Sequence, residues 1–175
     1  MKTLEELFLE GLGDMYYAEK QMTKALPKLA KATTHEELRK TIEAHLAETE
    51  GHVEKVEQVF EVFGKSPKAR KCAAILGIIK EADEIVSENK KSPTINAAII
   101  FAAQKAEHYE IASYGTLREW ARRLDKAEAA DLIENILDEE KAADNKLTGL
   151  AELHCNISAQ IGAGVKDEIS MRRAA

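Results

Sequence analysis

The chain is dominated by four long segments in which apolar residues recur every three or four positions, the spacing of an amphipathic α-helix. Links of only two residues, Thr33-Thr34 and Asp125-Lys126, join the first segment to the second and the third to the fourth. Such short links force the helices that they join to pack as antiparallel neighbours. The pattern therefore predicts two helical hairpins, built from about Thr3 to Ala32, Glu36 to Phe63, Thr94 to Leu124 and Ala127 to Cys155.

A long connection joins the two hairpins and contains an apolar pattern of its own, from about residue 69 to residue 88. This arrangement predicts an all-α four-helix bundle, made of two antiparallel hairpins with an extra helix in a long crossover. We expect the bundle to occupy residues 1–157. The apolar pattern is lost from Ser158 onward, where Gly162 and Gly164 follow, so residues 158–175 are predicted to form a flexible C-terminal tail.

The composition limits the partners that such a bundle would have. A net charge of -6 argues against nucleic acid, which requires a basic surface. Nothing approaches the 18 consecutive apolar residues that suggest a membrane span, and the N-terminus is too acidic for a signal peptide. Cys72 and Cys155 lie far apart and fit two reduced thiols. We expect a cytoplasmic protein with no nucleic-acid or membrane partner.

Polar residues interrupt the apolar stripe of each long helix at a similar depth. With a rise of about 1.5 Å per residue, the interruptions fall near mid-height in both hairpins. They comprise Glu19 in the first helix, His45, Glu48 and His52 in the second, Glu107 and Glu110 in the third, and Glu140 and Asp144 in the fourth.

Carboxylates gathered in a bundle core need a positive partner, because each buried charge costs several kcal/mol. The stripes carry no lysine or arginine at that depth. A pair of divalent metals would offset the charge, and oxygen ligands with an occasional imidazole suit iron or manganese. The alternative for any single acid is a boundary residue that reaches water.

Two further interpretations stay open at this point. His52 could supply an imidazole four residues after Glu48, or the helix could turn it to the surface beside Gly51. Glu139 fits a solvated face. The crossover sequence CAAILGIIKEADEIV has more apolar surface than one bundle face needs, which predicts a homodimer through this helix.

Several segments resemble the YciE/YciF family of bacterial ferritin-like stress proteins. They are AEKQMTKALPKLAKAT, HLAET, AAQKAEHYEIASYGTL and EEKAAD, and the resemblance extends over about residues 3–153. It implies a ferritin-like bundle, usually dimeric, with a di-metal carboxylate centre and no settled reaction. Its motifs point to metal ligands at Glu19, His45, Glu48, Glu107, Glu110, Glu140 and Asp144.

The chain departs from the general ferritin-like pattern at two places. Asp144 stands where histidine is commoner, and His45-x-x-Glu48 reverses the usual Glu-x-x-His order. A site poorer in histidine is more negative. The Glu107-x-x-Glu110 pair is similar to the two glutamates that rubrerythrins carry on their third core helix.

Together these features predict a protein that holds two iron ions, or manganese, and oxidises ferrous iron with peroxide or dioxygen during stress. Glu48 and Glu140 would bridge or chelate, Glu19 and Glu110 would be terminal ligands, and His45 and Glu107 would be additional ones. The alternative from another class is a non-enzymatic bundle for self-association or partner binding, with one structural metal or none. Iron storage in a shell is a third hypothesis, against which the helix-bearing crossover and the tail argue.

Overall fold

A capping box marks the beginning of the first helix. In the computed structural model, which describes residues 1–162, Thr3 Oγ1 accepts a hydrogen bond from the Glu6 amide at 3.1 Å. The Glu6 carboxylate accepts one from the Thr3 amide at 2.8 Å, which completes the capping box. The helices are α1 (Leu4–Ala32), α2 (Glu36–Val62), α3 (Ala73–Asn89), α4 (Ile95–Arg123) and α5 (Ala127–Leu150), followed by a π-helical turn (Ala151–Cys155) and α6 (Asn156–Gly162).

The structure confirms the predicted all-α bundle of two antiparallel hairpins. Helix α1 packs against α2 and α4, and α5 packs against α4 and α2, so the four long helices form a closed ring. Asn96 at the start of α4 accepts a hydrogen bond from the Thr33 hydroxyl at 2.7 Å and donates one to Thr34 Oγ1 at 2.9 Å. These bonds tie the α1–α2 turn to the beginning of α4, which makes α1 and α4 antiparallel.

The crossover helix α3 covers the groove between α1 and α4. It begins at Ala73 rather than near residue 69, so its predicted start is four residues too early. The reason is a tertiary contact: residues 65–72 run outside any helix, and the Arg70 amide donates to the Gly13 carbonyl oxygen at 2.9 Å. This bond attaches the extended segment to α1, and the chain enters α3 only after Cys72.

The C-terminal boundary also differs from the prediction. Residues 158–162, predicted as the start of a flexible tail, belong to helix α6, in which Ala159 is buried. Gly162, the last residue that the structure describes, lies against Pro93, where a Cβ on the glycine would be 2.4 Å from the proline ring. A glycine is required here because the backbone of α6 lies too close to Pro93 to leave room for a side chain. The rest of the predicted tail lies outside the described residues.

The apolar stripes meet in one continuous core. It extends from Phe8 and Phe63, whose rings stack at 4.5 Å, to Leu147 and Leu150 at the other end of the bundle. Across residues 1–162, none of the helices combines the length and the apolar character that crossing a membrane requires.

Candidate metal centre

Six polar side chains interrupt the core at mid-height, and all of them are buried. They come from each of the four ring helices, because each lies on the apolar stripe that its helix turns inward. The six are Glu19 on α1, His45 and His52 on α2, Glu107 and Glu110 on α4, and Glu140 on α5.

Four of these side chains form a first group in which each offers one ligand atom and all the atoms lie within 4.8 Å of one another: His45, Glu107, Glu110 and Glu140. His45 Nε2 lies 3.3 Å from Glu107 Oε1 and 3.8 Å from Glu140 Oε2. We call this set the first metal group.

Three side chains form a second group by the same criterion: Glu19, His52 and Glu140. His52 Nδ1 lies 3.0 Å from Glu140 Oε1 and 3.6 Å from Glu19 Oε2. Glu140 belongs to both groups, and its two oxygens face different histidines, Oε2 toward His45 and Oε1 toward His52. We call this set the second metal group.

Within residues 1–162, most of the inward atoms of these groups have no hydrogen-bond partner, although they are fully buried. Such atoms are costly unless something else satisfies them. No lysine or arginine is among the buried residues of the described chain, residues 1–162, so neither type of side chain can satisfy these atoms from within the core. The unpartnered atoms are Glu19 Oε2, His45 Nε2, His52 Nδ1, Glu107 Oε2, Glu110 Oε1 and both oxygens of Glu140. Carboxylate oxygens with two imidazole nitrogens fit iron or manganese.

The carboxyl groups respond unequally to their shared burial. Burial raises the pKa of Glu110 and of Glu107 well above the usual value, and the charge of Glu140 adds to both shifts. Burial also acts to raise the pKa of Glu140, but its close contacts with His52 and Glu107 and the charges of the two histidines outweigh burial and leave that pKa lowered. Glu140 is therefore the carboxylate that stays ionised most readily.

Glu19 and His52 form the charged contact of the second group. Burial raises the pKa of Glu19. Burial acts to lower the pKa of His52, but its close contacts with the carboxylates of Glu140 and Glu19 outweigh burial and raise the value to about 10. A protonated imidazole at His52 thus offsets part of the negative charge of the centre when nothing else does.

A tyrosine from α4 fixes the remaining oxygen of Glu19. The fully buried Tyr114 hydroxyl donates to Glu19 Oε1 at 2.5 Å. This bond leaves Glu19 Oε2 directed at His52. Burial raises the pKa of Tyr114 well above its usual value, so the hydroxyl keeps its proton and remains a donor.

The structure brings five of the seven sequence-predicted ligands into the two groups and leaves Glu48 and Asp144 outside them. Thr49 rather than Glu48 takes the buried position of α2, so Glu48 lies half-buried at the edge. Asp144 is also half-buried, because the inward position of α5 falls on Ala143. Asp144 accepts a hydrogen bond from Gln104 at 3.0 Å.

Sequence reasoning left His52 open and missed its partner Glu139. The alternative in which His52 turns to the surface is wrong, because its side chain is fully buried. His52 lies seven residues after His45, so both histidines are on the same face of the helix. This spacing is the sequence feature that indicates burial of His52. Glu139 fits a solvated face in that it is partly exposed, yet it hydrogen-bonds His52. The pattern of a single sequence does not predict a contact between two residues that lie 87 positions apart.

Known proteins resemble this chain over almost its whole length. The model of a family described as a domain of unknown function, DUF892, matches residues 3–160. Protein YciF of Escherichia coli K12 is 48% identical over 161 residues, which cover 91% of this chain and 97% of the relative.

Solved structures agree with that comparison. The crystal structure of the E. coli stress protein YciF matches with a TM-score of 0.85 and 49% identity, over 89% of this chain and 99% of that one. YcfI from Rhodopseudomonas palustris, designated a candidate structural protein, matches with a TM-score of 0.81 and 46% identity, over 84% of this chain and 94% of that one. A Xanthomonas campestris protein at 24% identity and a TM-score of 0.69, covering 89% of this chain and 94% of its own, shares the fold.

Proposed function

Because the chain belongs to the DUF892 family and is a relative of the stress protein YciF, we propose that it is a cytoplasmic, ferritin-like di-metal protein. It would handle ferrous iron and peroxide or dioxygen during stress. The two metals would be iron, with manganese as the alternative. The activity would be that of an oxidoreductase of the ferroxidase or peroxidase type.

The observation that carries the proposal is the shared carboxylate. Glu140 directs one oxygen toward each of two histidine-containing groups, and neither oxygen has another hydrogen-bond partner in the described chain. A carboxylate placed in this way suits a bridge between two cations. Burial of a lone glutamate for packing alone would be destabilising.

The remaining groups would supply the terminal ligands. We assign His45, Glu107 and Glu110 to one metal, and Glu19 and His52 to the other, with Glu140 between them. Iron bound there would supply redox chemistry with dioxygen or peroxide at its open positions. The protein's own part is to keep bulk water out, to hold Glu19 through the Tyr114 hydroxyl, and to aim two imidazole nitrogens inward.

Metal analysis tests this proposal directly. Protein purified without chelator and without a nickel column should contain about two iron or manganese ions per chain. A Glu140→Ala variant should lose them, whereas Glu134→Ala, which removes a partner of Arg118 and Arg122 elsewhere on α5, should keep them. Wild-type protein holding two ions should then consume ferrous iron together with peroxide or dioxygen. A wild-type chain that takes up neither Fe²⁺ nor Mn²⁺ after chelation would exclude the proposal.

A second candidate function is a non-enzymatic bundle used for self-association or partner binding, with one structural metal or none. The designation of YcfI as a candidate structural protein favours it. Stoichiometry separates the two functions, because a structural role predicts at most one ion per chain and no consumption of ferrous iron or peroxide.

A homodimer through α3 is the proposed assembly. Leu76 and Ile85 of this helix stay half-exposed, and Phe101 of the neighbouring α4 is 58% exposed. Covering these side chains in a second copy would remove apolar surface from water. Sedimentation at micromolar concentration should give twice the chain mass of 19.4 kDa, and Ile85→Lys should lower it. A wild-type species at the mass of one chain would remove the dimer.

A further inference from the structure

The groove between α2 and α5 contains two partly exposed glutamates that are arranged alike. Glu48 lies on α2 and Glu139 on α5, and each stands between a lysine of the opposite helix and one of the two buried histidines. Neither carboxylate belongs to the metal groups.

Glu139 makes the shorter contacts. Its Oε2 lies 2.7 Å from His52 Nε2 and 2.6 Å from Lys55 Nζ. Because a carboxylate only accepts, the imidazole donates its Nε2 proton outward. His52 Nδ1 is then the nitrogen that faces Glu19 and Glu140, and it has no hydrogen-bond partner of its own.

Glu48 repeats the arrangement at the other histidine with longer contacts. Its Oε2 lies 3.4 Å from His45 Nδ1, and its Oε1 lies 3.6 Å from Lys146 Nζ. His45 Nε2 consequently faces Glu107 and Glu140, again with no hydrogen-bond partner. In both rings a partly exposed carboxylate contacts the outer nitrogen, and the inner nitrogen faces the buried carboxylates of the metal groups.

We propose that Glu48 and Glu139 are positioning residues of the metal centre, each acting through its histidine rather than as a ligand. A carboxylate that accepts the outer N–H fixes the ring orientation and the tautomer. It also makes the lone pair of the inner nitrogen a stronger ligand for a cation. The lysine on the far side holds each carboxylate in place. This inference rests on the proposed function and assigns the α2/α5 groove as the face that supports both imidazoles.

The contact lengths rank the two residues. Charge-assisted hydrogen bonds are strongest near 2.7–2.9 Å, so Glu139 at 2.7 Å should support His52 more strongly than Glu48 at 3.4 Å supports His45. Loss of such an outer carboxylate typically weakens metal binding by about 10- to 100-fold. We expect Glu139→Ala to lie at the upper part of this range and Glu48→Ala at the lower.

Cobalt titration tests the inference with a readout independent of turnover. Chelator-treated wild type, Glu139→Ala, Glu139→Gln and Glu48→Ala are titrated with Co²⁺, and the visible absorption bands report the ligand geometry. Each alanine variant should still bind two ions, with one of them weaker and with shifted bands. Glu139→Gln should recover part of the affinity, because its amide oxygen still accepts from Nε2. Asp138→Ala is the matched control, since Asp138 is an exposed acid of α5 that pairs with Lys141 and belongs to none of the described histidine contacts.

The outcomes separate this inference from the proposed function. Two Co²⁺ ions per wild-type chain, with both alanine variants matching Asp138→Ala in affinity and spectrum, would overturn the inference and leave the function standing. A wild-type chain that binds no Co²⁺ and no Fe²⁺ would overturn both. Circular dichroism identifies a variant that fails to fold, and for Glu139 the glutamine substitution then decides, because it retains the size and the acceptor of the side chain.

Discussion

At the scale of single residues, the centre depends on which oxygen faces which histidine. Glu140 serves both metal groups, whereas Glu19 serves only the second. Glu140→Ala should therefore remove both metals, and Glu19→Ala should remove one and leave the first group with its four ligands. The measurement is the number of ions per chain by elemental analysis after loading with Fe²⁺ under nitrogen. Equal losses in the two variants would show that Glu140 does not bridge.

Glu110 shows the cost of keeping acids in the core. Burial is the main cause of its raised pKa, so its contribution to stability is complete below pH 4.5 and is lost as the pH rises through the folded-state value. Glu110→Gln removes this loss. In chelated protein at pH 8 we expect the variant to gain about 1–3 kcal/mol in the free energy of unfolding over wild type.

The same substitution should flatten the dependence of stability on pH between 5 and 8. Urea unfolding at several pH values measures it, and Glu119→Gln on the exposed face of α4 is the control. A Glu110→Gln variant less stable than wild type at pH 8 would mean that the buried carboxyl makes a favourable contact as an anion.

At the scale of elements, local sequence determined most of the helices. The long stripes, the capping box at Thr3 and the two-residue links are all local signals, and the observed boundaries of α1, α2, α4 and the start of α5 lie within one residue of those predicted. The misplaced start of α3 and the helical residues 158–162, predicted as tail, both involve distant contacts, of Arg70 with Gly13 and of Gly162 with Pro93. The periodicity of apolar residues within one segment does not predict contacts with distant segments.

The same limit explains which site residues sequence reasoning placed. The stripe predicts which helix face turns inward, and that is enough for Glu19, Glu107, Glu110 and Glu140. At Glu48 and Thr49 the stripe allows either neighbour, and one residue is a rotation of about 100° around the helix. The helix buries Thr49, and Glu48 becomes available to the outer nitrogen of His45.

Helix α1 contacts the loop that precedes α3 at Gly13, where there is no room for a side chain. A Cβ on Gly13 would lie 2.9 Å from the Lys68 carbonyl oxygen and 3.2 Å from Arg70 Cβ, so the backbone would have to move. Gly13→Ala should destabilise the protein by about 1–3 kcal/mol. Gly77→Ala in α3 meets nothing within 4 Å and should instead stabilise by up to about 1 kcal/mol through helix propensity. Urea midpoints of the two variants that shift in the same direction would contradict this account.

At the scale of the whole molecule, the two sides of the ring differ. Helix α3 covers the α1/α4 side, where Tyr114 lies fully buried. Within residues 1–162 no helix covers the α2/α5 side in this way, and there two partly exposed glutamates, each paired with a lysine, contact the two histidines. The centre is therefore insulated from water on one side and linked to the surface through hydrogen bonds on the other.

Metal binding should govern the stability of the whole bundle, and more strongly as the pH rises. Burial raises the pKa of Glu107, and the charge contacts of His52 raise its pKa to about 10 against the lowering effect of burial. The raised pKa values favour the protonated forms of both groups in the chelated folded state, whereas the unfolded chain releases these protons more readily, so chelated protein loses stability as the pH rises from 6 to 8. The lowered pKa of Glu140 adds nothing in this window, because the group is ionised in both states.

Metals bind the deprotonated ligands and displace these protons, so their stabilising effect increases over the same range. Ions at 100 times the dissociation constant add about 2.7 kcal/mol per site. We expect the difference in Tm between Mn²⁺-loaded and chelated protein to widen from pH 6 to pH 8, measured by calorimetry under identical salt. The Glu140→Ala variant should show almost no difference at either pH. A gap in the wild type that stays constant or narrows would show that the cations bind to groups other than these buried acids and histidines.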